Sequence, residues 1–418
     1  MTTDIQNYLH IQPILNIGML GSVSDGKSTT VFQLTGTKTQ KHSSEQIRNI
    51  TIKPGYANMK IYQIDNKLVS TNSSKKLDGE LIHHLSFIDC PGHYELILTM
   101  LSSVDLMQGA IVIISAAEPI ETKPQLLQHL LALKIANFSN IIICLNKLDL
   151  VSKDVALKRK LELDKLLLKL EIRPKAIIPV CMNKKLGIDF LLENILKYMP
   201  PKIINNNETP QFRVTRSFDI NKKNISLEDL KGGVLGGSLI KGILKVGDII
   251  EVRPGLVNKL PNGSFKCIPL KTKILSLQSD TEKMDSIISG GLIGIGTNID
   301  PFYCKNDNLS GSVIGLENQL PDIYITIQLK YIFVDFDKDI KWAPKIDQVI
   351  TVQIATLAIA SQIIKTSNLK GENTITIRLS KPACIDNNMM IIISTKSNKS
   401  INIVGYGYLT PNNLPLVL

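Results

Sequence analysis

The chain has 418 residues, 44% of them hydrophobic and 20% charged, with a formal net charge of +11 at neutral pH. That length exceeds one ordinary core, so two or three domains are expected, and the hydrophobic share excludes a disordered chain. The positive balance suits an anionic partner such as nucleic acid, but the excess splits about evenly, about +6 before residue 205 and about +5 after it, so no basic patch stands out.

Residues Met1–Asn7 lack the basic and apolar regions of a secretion signal, and no uninterrupted apolar stretch reaches spanning length, so no membrane is expected. From residue 14 to about 200, strand-like and helix-like segments alternate. Strands are expected at 14–20, 56–64, 84–89, 109–116, 140–145 and 175–180, with helices at 27–35, 94–104, 122–134, 154–170 and 187–198. Near-continuous apolar runs such as Ala110–Ile114 read as central strands buried on both faces. This alternation gives an α/β domain with a mostly parallel sheet and ligands at the carboxyl ends of its strands. Residues 64–83 form a polar excursion that reads as a flexible loop. Pro200-Pro201 ends the last helix, and the stretch to Pro210 reads as a linker. Beyond it, short strands punctuated by glycine and without long helical periods predict β-barrels, and a second break falls near Asn318–Pro321. The expected division is 1–204, a nucleotide domain, then 205–318 and 319–418, two β-barrels. Six cysteines, at 90, 144, 181, 267, 304 and 384, show no C-x-x-C spacing, which speaks against a disulfide framework and fits a reducing, cytoplasmic setting.

Three short runs, each after an expected strand, carry the chemistry. Gly21-Ser22-Val23-Ser24-Asp25-Gly26-Lys27-Ser28 fits G-x-x-x-x-G-K-[ST], a loop whose backbone N–H groups surround phosphates. Lys27 reaches the β- and γ-phosphates, Ser28 offers its hydroxyl to Mg²⁺, and the helix that starts there aims its amides at the anion. Asp89-Cys90-Pro91-Gly92-His93 supplies a carboxylate for the magnesium's water shell and, in Gly92, an amide to sense the γ-phosphate. Asn146-Lys147-Leu148-Asp149 names the base, because a carboxylate only accepts hydrogen bonds and guanine presents two adjacent donors where adenine does not. A site built around such a pairing rejects the analogue that lacks it by roughly four to five orders of magnitude. Thr51, in Arg48–Lys53, is a candidate second ligand to Mg²⁺, and His93 is the candidate to orient the attacking water. No arginine lies in the phosphate loop or near Asp89, so hydrolysis is expected to be slow without a partner in trans.

With these residues placed, the chain resembles the gamma subunits of eukaryotic and archaeal translation initiation factor 2. The likeness rests on Arg48-Asn49-Ile50-Thr51-Ile52-Lys53 with Gly55-Tyr56-Ala57-Asn58, on Phe87–His93, on Leu230-Lys231-Gly232-Gly233-Val234, and on Val252-Arg253-Pro254-Gly255. The resemblance implies a GTPase domain followed by two barrels and GTP-dependent delivery of initiator methionyl-tRNA to the small ribosomal subunit. It also implies alpha and beta subunits, an activating protein and an exchange factor as partners, with GTP or GDP and Mg²⁺ as ligands. On matching positions, Ser24, Asp25, Gly26, Lys27, Ser28 and Thr29 meet phosphates, and Ser28 with Thr51 holds Mg²⁺. Asn146, Lys147 and Asp149 read guanine beside Cys181, Met182 and Asn183, His93 is catalytic, and Tyr56 faces the tRNA. Three departures stand out. Cys181-Met182 replaces the usual Ser-Ala, which predicts altered packing and retained GTP binding through the backbone. Asp25 replaces His and places a negative charge near the phosphates, which lowers affinity unless the carboxylate points away. The cysteine pairs of a zinc knuckle are missing between residues 60 and 86, so no zinc is expected. Elongation factor Tu, the selenocysteine-specific factor and the GTPase subunit of a sulfate-activating adenylyltransferase share the three-domain plan and are the alternatives.

Overall fold

In this computed structural model the described residues are 3–39, 51, 53–201, 208–222, 226, 228–280, 282–334, 342–369, 372–397, 400–411 and 413–416. Residues 202–207 of the expected linker and residues 48–50 and 52 of the first switch lie outside them. The chain divides into two units, Met1–Ile203 with Ser397–Ile401, and Ile204–Lys396 with Asn402–Leu418.

Seven strands build the first unit: β1 (Leu15–Leu20), β2 (Gly55–Ile64), β3 (Lys67–Asn72), β4 (Glu80–Asp89), β5 (Gly109–Ser115), β6 (Ile141–Asn146) and β7 (Ala176–Pro179). They form one sheet in the order 3-2-4-1-5-6-7. Strands 4, 1, 5, 6 and 7 run parallel, while β2 and β3 extend the edge antiparallel. Every residue of β1, β5 and β6 is buried, the signature of parallel strands covered on both faces. The six α-helices of the described residues all fall in this unit: α1 (Thr3–Ile11), α2 (Lys27–Thr35), α3 (Ile97–Val104), α4 (Pro124–Ile135), α5 (Lys153–Lys169) and α6 (Ile188–Tyr198). Leu34 of α2 and Leu191 and Ile195 of α6 pack with Ile17, Phe87, Ile111 and Ile142 into one apolar cluster. The register sets Met19 beside Asp89, Ser115 beside Asn146 and Leu145 beside Pro179, so the carboxyl ends of five strands form one edge.

One expectation is corrected here. Residues 64–83 are not a loop throughout but a hairpin, with β3 paired antiparallel to β2 and β4 starting at Glu80. Asp65 and Asn66 take φ of 47° and 61°, the backbone of a tight two-residue turn that Asp and Asn tolerate. The strand is half-exposed and polar because it lies at the sheet edge, which is why it reads as excursion in sequence.

Among its described residues, the elements of the second unit are strands, apart from a short helical turn at Pro301–Asp307. Its first part comprises β8 (Gln211–Phe218), β9 (Val234–Lys241), β10 (Leu244–Lys245), β11 (Ile249–Lys259), β12 (Phe265–Lys273), β13 (Ser276–Ser279), β14 (Glu282–Met284), β15 (Ser286–Ile287), β16 (Ile293–Gly296) and β17 (Val313–Leu316). Eight of these form a sheet in the order 12-11-17-8-9-16-13-14, and β10 pairs with β15. The remainder, β18 (Ile323–Phe333), β19 (Val349–Ile354), β20 (Leu357–Leu369), β21 (Glu372–Cys384), β22 (Ile391–Ser397) and β23 (Ser400–Leu409), closes into a six-stranded barrel. Closure removes the edges that open antiparallel sheets leave exposed. Ile327, Leu329, Val352, Ile363 and Ile377 fill its interior. Arg253, from the diagnostic R-P-G run, bonds both oxygens of Glu251 at 2.9 and 3.3 Å and the carbonyls of Leu320 and Pro321 at 3.0 and 3.1 Å. A buried charge needs that completeness of pairing, and here it pins β11 to the segment that leads into the barrel.

Candidate nucleotide-binding site

The loop from Gly21 to Gly26 leaves β1 and enters α2 through backbone that ordinary residues avoid. Ser24 and Gly26 have φ of 63° and 102°. A Cβ on Gly26 would also run into Nδ2 of Asn146, so glycine is required there on two counts. Lys27 opens the helix, is buried, and donates from Nζ to the Ser22 carbonyl at 2.8 Å. Burial lowers its pKa, while Asp89 and Asp25 pull in the other direction.

Beneath the loop lies a set of groups that sequence reading did not find. His129, on α4, accepts the Gly21 amide at Nδ1 over 3.1 Å. Accepting that bond requires a neutral ring, and burial, with Lys27 nearby, holds the His129 pKa down to about 3. The Asp25 carboxylate turns away from the cleft. It accepts the Ser22 amide at 2.8 Å and the Ser115 amide at 3.1 Å, and it pairs with Nζ of Lys123. The acidic residue at position 25 is thus paired with a buried cation. Lys123 carries no motif signature; only the fold brings it within reach.

At the second motif, Asp89 is fully buried and accepts the Thr39 hydroxyl at 2.6 Å. Thr39 is a further residue that the motifs did not single out. Gly92 packs against the phosphate loop, where a Cβ would meet the Lys27 ammonium and come within 2.9 Å of Gly21 and Ser22 backbone atoms. The His93 side chain is 32% exposed at the cleft wall, and its Nδ1 accepts the Glu95 amide at 3.4 Å. The Ser28 and Thr51 hydroxyl oxygens lie 3.4 Å apart. Two neutral oxygens converging at the cleft wall suit a hard divalent cation that also takes phosphate oxygens and water. Among the described residues no cluster of three or more His, Cys, Asp or Glu could hold a metal. The Ser28–Thr51 pair therefore fits Mg²⁺ held jointly with nucleotide, and nothing here resembles an all-protein cage.

The base end is organised by Asn146. Its Nδ2 donates to the Asp25 carbonyl at 2.9 Å and its Oδ1 accepts the Met182 amide at 3.1 Å. One side chain thus ties the phosphate loop to the segment after β7. Lys147 follows in left-handed backbone at φ 61°. Asp149 is held below the usual carboxylate range first by the Cys181 thiol, which donates to it, and also by Lys184, whose Nζ lies 3.5 Å away. The Cys181 thiol is pushed up by burial and by Asp149. The thiol, where the sequence comparison expects a serine hydroxyl, thus keeps a donor on the Asp149 carboxylate.

A cleft of about 750 Å³ runs between these ends. Of the residues expected from sequence, Ser24, Gly26, Lys27, Ser28, Thr29, Thr51, Gly92, His93, Asn146, Lys147, Asp149, Cys181 and Asn183 line it. Gly21, Asp25, Asp89 and Met182 stand behind the wall, and Tyr56 lies half-buried on β2 beside Ile88. Val23, Phe32, Lys38 and Thr39 complete the lining without having been anticipated. Such a cleft offers amides and an ammonium to a polyphosphate at one end and a carboxylate to paired N–H groups at the other.

Comparison with known proteins agrees with this geometry. Residues 12–201 match the family described as the elongation factor Tu GTP binding domain. The chain is 37% identical to eukaryotic translation initiation factor 2 subunit 3 of Drosophila melanogaster, over 95% of this chain and 88% of that protein. It is 37% identical to translation initiation factor 2 subunit gamma of Methanococcus vannielii, over 95% of this chain and 98% of that protein. A bacterial selenocysteine-specific elongation factor superposes with a TM-score of 0.72 at 21% identity, over 95% of this chain and 58% of that one. The SelB elongation factor of Methanococcus maripaludis, solved with the GTP analogue GppNHp, gives 0.72 at 19% identity, over 97% and 80%. At that identity the structural likeness speaks for the fold; the full-length sequence relatives speak for the family. This chain, with its elongation-factor-type GTPase domain followed by β-rich domains, belongs to the gamma-subunit family of translation initiation factor 2.

Proposed function

We propose that this chain is a GTP-dependent carrier of initiator methionyl-tRNA to the small ribosomal subunit, and that hydrolysis of GTP releases the tRNA. The observation that carries the nucleotide half is the cleft itself, with Lys27 and Gly92 at one end and Asp149 at the other, 13 expected residues sharing one wall. The tRNA half rests on the gamma-subunit relatives that align along 95% of the chain. In this reading the protein works in the cytoplasm as three domains, 1–204, 205–318 and 319–418, in a heterotrimer with alpha and beta subunits. No helix of the described residues is long and apolar enough to cross a membrane.

The chain's own groups divide the work. Loop amides and Lys27 bind the phosphates, Asp149 orients guanine, and Ser28 and Thr51 would hold Mg²⁺, which would neutralise phosphate charge. His93 orients the attacking water, and with no arginine in the phosphate-loop sequence or next to Asp89 hydrolysis is slow until an activating protein supplies help. An exchange factor would then be needed to renew the nucleotide. Tyr56, directly after the first switch, faces the tRNA.

Filter binding of initiator methionyl-tRNA, with both partner subunits present, tests the reading. Affinity is expected to be about 5–150-fold higher with a non-hydrolysable GTP analogue than with GDP, because coupling between two ligands is reciprocal. It is also expected to fall linearly in log–log form with salt. Equal affinity in both nucleotide states would overturn it.

A further inference from the structure

Two charges under the phosphate loop are left over once the nucleotide contacts are assigned. Asp25 and Lys123 have side chains only 1% and 2% exposed and are paired with each other. Asp25 joins three segments at once: its own loop through the Ser22 amide, the end of β5 through the Ser115 amide, and, through Lys123, the residue that opens α4. Ser22 is thereby held from both sides, its N–H by Asp25 and its carbonyl by Lys27. The other acidic neighbour of Lys123, Glu118, lies 3.5 Å away but is 64% exposed, so water screens it. Charges as buried as Asp25 and Lys123 act through a low effective dielectric and are felt across the loop. Both bear on Lys27, Asp25 raising its proton affinity and Lys123 lowering it.

We infer that Asp25 and Lys123 form a charge-balanced positioning pair that sets how strongly the loop distinguishes nucleotides by their number of phosphates. The inference rests on the guanine-nucleotide reading of the cleft. Together the pair adds no net charge behind the loop. Without Lys123 the carboxylate, still held by the Ser22 and Ser115 amides, repels the ligand with more phosphate charge. Without the carboxylate, Lys123 is a buried cation that favours that ligand. The two single substitutions therefore move the preference for GTP over GDP in opposite directions. A merely structural role lowers affinity for both nucleotides in both variants and produces no such change of sign.

The test is calorimetry on the full chain with GDP and with a non-hydrolysable GTP analogue, for wild type, Lys123→Met, Asp25→Asn and the double variant. A single added phosphate charge at a separation on the order of 10 Å, with an effective dielectric near 20, corresponds to about tenfold in affinity. Lys123→Met is expected to lower the GTP-to-GDP affinity ratio by about that factor, Asp25→Asn to raise it, and the double variant to return towards wild type. If Lys123→Met fails to fold, the ratio in Asp25→Asn against the double variant carries the same test of sign. Shifts of the ratio in one direction for both single variants, or no shift in either, would overturn the inference. Wild-type protein that binds neither nucleotide would instead overturn the reading of the cleft, and the pair with it.

Discussion

Replacing Asn146 with alanine isolates the side chain that couples the two ends of the nucleotide site. Asn146 is 3% exposed and makes two buried hydrogen bonds, to the Asp25 carbonyl at 2.9 Å and from the Met182 amide at 3.1 Å. Alanine leaves both backbone groups without a partner, and each such group costs about 1–3 kcal/mol. Water entering the space left by the amide relieves part of this, so the expected loss is about 2–4 kcal/mol. For a unit of this size that lowers the unfolding midpoint by roughly 4–16 °C. The two units carry separate probes. All six α-helices of the described residues lie in the first unit, whereas the single tryptophan, Trp342, lies in the second. Circular dichroism at 222 nm is therefore expected to shift while tryptophan fluorescence keeps its midpoint. GDP affinity should fall as well, because the Asp25 and Met182 backbones are no longer fixed relative to each other. An unchanged 222-nm midpoint together with unchanged GDP affinity would refute the assignment of Asn146 as the tether.

Acid is expected to destabilise the first unit. His84 and His129 are held at a pKa of about 3 by burial, against 6.5 for an exposed ring, so the unfolded chain takes up protons first as pH falls. Their contribution to stability is complete above about pH 6.5 and is lost towards pH 3, at no more than about 1.4 kcal/mol per pH unit for each ring. Urea unfolding followed at 222 nm with equal midpoints at pH 5 and pH 7.5 would contradict this. Cys181→Ala removes a donor from Asp149 and is expected to weaken GDP binding about three- to tenfold by calorimetry, with Cys181→Ser restoring it; a serine variant as weak as alanine would remove the thiol from the account. His93→Ala is expected to leave nucleotide affinity within a few-fold while slowing single-turnover hydrolysis on small subunits with the activating factor by about 10²–10⁴-fold. Equal rates would make His93 a structural cap of the turn at Glu95.

Apart from α1 and the edge strand β3, the order of strands, helices and motifs in the first unit was legible because its signals are local. A fully buried parallel strand must be apolar along its length, as Ala110–Ile114 is, and a phosphate loop needs Gly26 and Lys27 at fixed spacing whatever surrounds them. The expectation of a guanine nucleotide followed from the acceptor-only chemistry of one side chain, Asp149. The sequence by itself therefore determined the fold class, the ligand class and most of the cleft wall. Tertiary structure alone decided the supports behind that wall. Asp25 and Lys123 stand 98 residues apart, and Gly21 and His129 stand 108 apart; no periodicity links either pair. Which way the Asp25 carboxylate points, left open by the sequence, was decided by a cation that only chain folding delivers. The edge hairpin at β3 escaped notice for a related reason: an exposed strand is specified by its partner β2 and its turn, not by burial of its own side chains.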